Sequence, residues 1–225
     1  MFNIYQRRQG ASRLTKQALV LPGCLFLYFI ILTGCESTLM REFNHHMSGN
    51  DLQSSHRILD RELASNPNSA EANYLKGNLL SRQKEYSEAN EYFERSLSSS
   101  SLFREHITYL KERNYRSEFN TALEALENSQ HDLAARHYNL ALSIYPEKTE
   151  PMPLLGFAYE TMDRTDEAAV IYKRCLSLAA NHYECGLRLA EIEFNRNNYI
   201  ETIRLATELR ESYPEDWRPL QLLTE

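Results

Sequence analysis

Between residues 52 and 216, apolar side chains recur three or four positions apart and are broken by short polar turns. That spacing predicts helices with one buried face. Residues 150–180, EPMPLLGFAYETMDRTDEAAVIYKRCLSLAA, show it best: Leu155-Gly156 leads to Tyr159, and Ala168 leads to Tyr172. The same set returns at intervals of 34 residues, and such internal repeats set the architecture before any local detail. Ala122, Ala134, Tyr138, Ala141 and Pro146 stand 34 positions earlier. Ala190, Thr202, Ala206 and Pro214 stand 34 positions later, with Tyr199 in the turn. A further copy over 70–103 carries Gly77, Tyr86, Ala89 and Phe93. Before it, Leu52, Ile58, Leu59, Leu63 and Pro67 match the second half of a copy, while STLMREFNHHMSG matches the first half poorly.

The order L-G-x-x-Y, A-x-x-x-Y and then proline resembles the tetratricopeptide repeat (TPR), a helix-turn-helix unit. Small residues such as Gly156 and Ala168 let the paired helices approach, and Tyr159 and Tyr172 fill the space between turns. The resemblance implies an all-α, right-handed TPR superhelix, an α-α solenoid of about five repeats. These fall near 36–69, 70–103, 115–148, 149–182 and 183–216. The phase breaks once, with 11 extra residues forming a helical insertion at 104–114. In the stretch SSLFREHITYLKER around it, Phe103, Ile107 and Leu110 have helical spacing. Two forms fit: a helix lengthened by about three turns, or a separate short helix after a Ser96–Ser101 linker. Both a tolerated insertion and a docking element stay open. In residues 217–225, Trp217, Leu220 and Leu223 would line one side of a short C-terminal cap over the apolar end of the array.

The first 34 residues read differently. Arg7, Arg8, Arg13 and Lys16, with no acidic residue, precede a 17-residue apolar stretch, Ala18–Gly34, interrupted by Pro22-Gly23. A bilayer core takes about 20 apolar residues, so the stretch is short for a permanent span and has the form of a secretory signal. It closes on Leu32-Thr33-Gly34-Cys35, which resembles the bacterial lipobox. That resemblance implies a cleaved lipoprotein signal peptide over 1–34 and a covalent lipid on Cys35, the thiolate being the nucleophile that takes it. Two acyl chains, at about 0.8 kcal/mol per buried methylene, suffice for stable anchoring. By the same resemblance Glu36, in place of an aspartate, favours the periplasmic face of the outer membrane. An uncleaved inner-membrane anchor facing the periplasm is the alternative.

Loss of the leader moves the net charge from −6 to −10. Such a surface repels phosphate and argues against nucleic acid as a partner. No G-x-S-x-G, H-E-x-x-H, P-loop or Gly-rich nucleotide loop occurs, so no catalytic residues, metal site or cofactor beyond the lipid are expected. His182-x-x-Cys185 is the nearest approach to a metal pair, without a visible set of four ligands. Cys175 and Cys185 lie five residues either side of Ala180, level with each other in an antiparallel pair. Either they form a disulfide worth about 2–3 kcal/mol in an oxidising compartment, or they are two small buried residues at tight helix contacts.

Repeats of this type generally bind peptides or helices on the face made by their first helices. Carried across the phase, that groove contains Tyr74 and Asn78, then Phe119, Leu123 and Leu126, then Pro153 and Phe157, then Leu187, Glu191 and Phe194. Its apolar content suits an amphipathic helix or an extended apolar peptide. Leader, lipobox and repeats together resemble pilus-biogenesis lipoproteins of the Tad/Flp and type IV systems. That implies a non-enzymatic periplasmic scaffold that binds a protein partner, a secretin or another pilus or secretion component. The alternative is an adaptor for outer-membrane protein insertion or for peptidoglycan-remodelling enzymes.

Overall fold

The computed structural model describes residues 36–219 and 221. The leader, Cys35, Leu220 and Leu223 lie outside the described residues. Among those described there are ten α-helices and a 3-10 turn and no strand. The helices are α1 (Thr38–Ser48), α2 (Leu52–Ser65), α3 (Ala70–Arg82), α4 (Tyr86–Ser99) and α5 (Arg104–Glu127). They continue with α6 (His131–Ile144), α7 (Met152–Thr161), α8 (Thr165–Leu178), α9 (Tyr183–Asn195) and α10 (Tyr199–Ser212). None is long and apolar enough to cross a membrane.

Two compact units divide between Ile58 and Leu59, inside α2. In the first, STLMREFNHHMSG forms α1 despite its poor match to the repeat. The Ser37 hydroxyl accepts from the Met40 amide at 2.9 Å and caps the helix, and Phe43 is buried. Such a cap satisfies an amide that the helix itself cannot, worth about 1 kcal/mol.

Five helix-to-helix turns share one backbone device. Asn50, Lys84, Ser129, Asp163 and Asn197 all sit at φ between 55 and 64°, in the left-handed region. At each, the amide of the next residue donates back to a carbonyl five positions earlier. Asp51 reaches His46, Glu85 reaches Leu80, Gln130 reaches Ala125, Arg164 reaches Tyr159 and Asn198 reaches Glu193, all within 3.0 Å. This is the Schellman closure, which uses the orphan carbonyls of a helix end. The left-handed residues are separated by 34, 45, 34 and 34 positions. The backbone therefore carries the period, and its single break, independently of side-chain type.

In the second unit, the main contacts join α3 to α4, α5 to α6, α7 to α8 and α9 to α10. Missing side chains make the close approach possible. A Cβ on Gly77 would lie 2.6 Å from two ring carbons of Phe93, and one on Gly156 would enter the ring of Tyr172. Phe93, Tyr138 and Tyr172 are in turn almost wholly enclosed. Burying a side chain of that size contributes about 2–3 kcal/mol.

The eleven added residues are the first three turns of α5, a single helix of 24 residues. No serine linker precedes it: Ser96 is buried within α4 and donates to the Ala70 carbonyl at 2.7 Å. Ser98 and Ser99 continue that helix and donate to carbonyls four residues back. The break comes at Ser100, in extended backbone, and the 3-10 turn Ser101–Phe103 leads into α5. Phe103, Ile107 and Leu110 are all buried, whereas Leu102 and Tyr109 face solvent.

A buried carboxylate binds the lengthened helix to its neighbours. Glu118 of α5 accepts from the Tyr86 hydroxyl of α4 at 2.8 Å and lies 2.6 Å from Nδ1 of His137 on α6. Lys84, in the preceding turn, is 3.0 Å away. Burial pushes this carboxyl up, and the contacts with Tyr86, His137 and Lys84 more than offset that, holding it below the usual carboxylate range.

Candidate partner-binding face

The first helices of the second unit share one register, so their equivalent positions form three rows. The first row runs Tyr74, Phe119, Pro153, Leu187; the second Asn78, Leu123, Phe157, Glu191; the third Ser81, Leu126, Glu160, Phe194. Burial separates them. Tyr74 and Leu187 of the first row are enclosed, as is Leu126 of the third. All four members of the second row are partly accessible. Phe119, Pro153, Glu160 and Phe194 are also partly open.

Tyr74 is enclosed for a specific reason. Its ring stacks on Phe103 with centroids 4.5 Å apart and planes 4° apart, and its hydroxyl meets Nδ1 of His106 at 2.7 Å. The 3-10 turn and the beginning of α5 thus cover the α3 end of the face. Phe119 packs between the rings of Tyr115 and Tyr138 and, like Phe157, lies against the main core while staying partly open.

Toward α7 and α9 the face becomes polar. Arg188 lies 3.3 Å from both Glu184 and Glu191, with its guanidinium 6.0 Å from the Phe157 ring centre. Burial raises the Glu191 carboxyl above the ordinary carboxylate range, against the pull of Arg188. Glu160 accepts from the buried Tyr172 hydroxyl. Sequence alone placed Phe157 and Glu191 here but missed Arg188, although its position one residue after Leu187 on the same helix was available as a signal. The open row therefore offers an amide, two apolar side chains and an acidic-basic cluster, in that order. Such a strip can take a segment with an apolar anchor beside polar or charged groups.

The cysteine pair occupies a different place. Cys175, near the end of α8, and Cys185, in the first turn of α9, are joined as a disulfide with Cα atoms 6.4 Å apart. Both are fully buried. His182 caps α9, and its Nδ1 faces the Cys185 amide at 3.5 Å. Trp217 is 66% exposed. Instead Arg218 pairs with Asp216 at 2.6 Å and lies over the Tyr183 ring at 4.9 Å.

Helical hairpins closed by alike turns, with small residues against enclosed aromatics, give the all-α solenoid architecture of tetratricopeptide repeats. The family model for the tetratricopeptide repeat matches residues 70–101 and 154–182. The repeat is a protein-interaction scaffold and typically carries no catalysis. No curated protein matches the chain in sequence. Among solved structures it is similar to YrrB, a TPR protein with an unusual peptide-binding site, at 17% identity over 89% of this chain and 98% of that one, TM-score 0.46. It is also similar to PilF of Pseudomonas aeruginosa, at 19% identity over 82% and 79%, TM-score 0.44. PilW, a widely conserved type IV pilus biogenesis factor, gives 14% identity over 83% and 97%, TM-score 0.44. None of these likenesses carries a function to this chain.

Proposed function

We propose that this protein is a lipid-anchored periplasmic scaffold that binds a protein partner during assembly of an envelope machine. Pilus biogenesis, of the Tad/Flp or type IV kind, is the favoured system, with a secretin as the favoured partner. The observation that carries the binding role is the open second row, Asn78, Leu123, Phe157 and Glu191, which crosses four successive first helices. The Leu32-Thr33-Gly34-Cys35 motif supports the anchor, and Glu36 supports the outer membrane as its destination.

Two measurements test the two halves separately. Labelled palmitate should enter the wild-type protein and not Cys35→Ser; label in neither, or equal label in both, removes the anchor. Deletion of the gene should reduce detergent-resistant secretin multimers and surface pili. Leu123→Arg should fail to restore either while accumulating to wild-type level. Normal multimers and pili in the deletion strain would remove the pilus reading.

A further inference from the structure

Three departures from the repeat converge on one spot at the α8–α9 junction. Where the preceding repeat has Ala141, Lys148 and Pro151, this one has Cys175, His182 and Cys185. The two sulfurs and a ring nitrogen of His182 all lie within 4.8 Å of one another. A disulfide explains two of the three substitutions and leaves the histidine unaccounted for. As a helix cap His182 is poor: its Nδ1 is 3.5 Å from the Cys185 amide, against 2.9 and 3.2 Å for the serine caps of α1 and α3. Serine, threonine, aspartate and asparagine are the residues that cap well.

Two thiolates and an imidazole are the donor set of zinc-class d10 cations, which favour tetrahedral sulfur–nitrogen coordination. The protein supports that set in two ways. Both cysteines are withdrawn from solvent. Cys185 also sits in the first turn of α9, where the helix N-terminus favours a thiolate.

We propose that Cys175, His182 and Cys185 form a redox-gated metal site, closed while the sulfurs are bonded to each other. A dithiol reductant opens it: two electrons and two protons pass to the disulfide, giving two thiols, and the dithiol becomes a disulfide. A divalent zinc-class cation then displaces the two thiol protons. It is held by both sulfurs and by a ring nitrogen of His182, with the fourth position left to water or to a partner's side chain.

The test uses the full-length chain in detergent, with cobalt(II) as the optical probe and a phosphine as a reductant that does not compete for metal. Reduced wild type should give thiolate-to-cobalt charge-transfer bands in the near ultraviolet and the visible bands of a tetrahedral site. One equivalent of zinc should abolish them, and unreduced protein should show none. His182→Ala, which leaves both cysteines in place, should weaken cobalt binding at least tenfold at unchanged helicity, and Cys185→Ser should remove the charge-transfer bands. The proposal is overturned if the phosphine does not open the disulfide in folded protein. It is equally overturned if reduced wild type gives no bands, or if His182→Ala binds cobalt as tightly as wild type.

Discussion

The two ends of the first-helix face are built from the same repeat and differ in what covers them. At α3 the row that begins with Tyr74 is shut by Phe103 and His106. At α7 the equivalent residue, Pro153, stays partly open, and Phe157 and Arg188 lie side by side in the next row. The cause is the eleven residues that lengthen α5. Phe103, in the turn that leads into them, and His106, in their first turn, meet Tyr74 of α3, while Ile107 and Leu110 are buried as well. An insertion in a repeat array thus does more than shift the phase. It covers Tyr74 and leaves Asn78, one turn further along α3, partly accessible.

Substitutions at the two ends should separate accordingly. The largest effect is expected for Tyr74→Ala, which removes an enclosed ring; loss of a buried aromatic costs about 3–5 kcal/mol. Its urea midpoint should fall sharply. Glu118→Ala comes next. It strands the Tyr86 hydroxyl and His137 without their carboxylate, a loss of about 2–3 kcal/mol for a broken buried charged cluster.

The same carboxylate predicts a pH dependence. Its folded pKa lies below the ordinary carboxylate value of about 4.3. The unfolded chain therefore takes up the proton first on acidification. The stability contributed is whole above the unfolded value and is lost as pH falls through the lower folded one. Acidification through that window should destabilise wild type more than Glu118→Gln, as measured by thermal unfolding.

At the open end, Phe157→Ala removes a ring that is only partly enclosed, and about 1–2 kcal/mol is expected from the smaller transfer term. Equal losses for Tyr74→Ala and Phe157→Ala would erase the distinction between the ends. The smallest effect belongs to Ser129→Gly. A non-glycine residue in the left-handed region costs about 1 kcal/mol, so glycine there should raise the urea midpoint slightly.

The hairpins themselves were legible in the chain, because a period of 34 fixes which residues meet. Gly77 with Phe93 and Gly156 with Tyr172 follow from the repeat alone. What covers the face was not legible. Phe103 has helical spacing with Ile107 and Leu110, but nothing in that spacing says that it stacks on Tyr74, a contact made between separate helices. The serine run looked like a linker because serine favours turns; Ser96 is helical because its hydroxyl finds the Ala70 carbonyl across the hairpin. Trp217 was expected against the end of the array and lies in solvent, while Arg218 takes the aromatic contact through Tyr183. His182-x-x-Cys185 was visible in sequence, and so was the antiparallel placing of Cys175 opposite Cys185; that all three donors lie within 4.8 Å of one another was not.

The most direct test of the closed end is hydrogen–deuterium exchange along α5, in wild type and in Phe103→Ala. An undocked helical extension of three turns is marginal in water. If it is docked on α3, amides of residues 107–112 should exchange as slowly in wild type as those of 119–126. Phe103→Ala should speed exchange in 104–112 alone. Fast exchange of 107–112 already in wild type, or no change in the variant, would contradict the account.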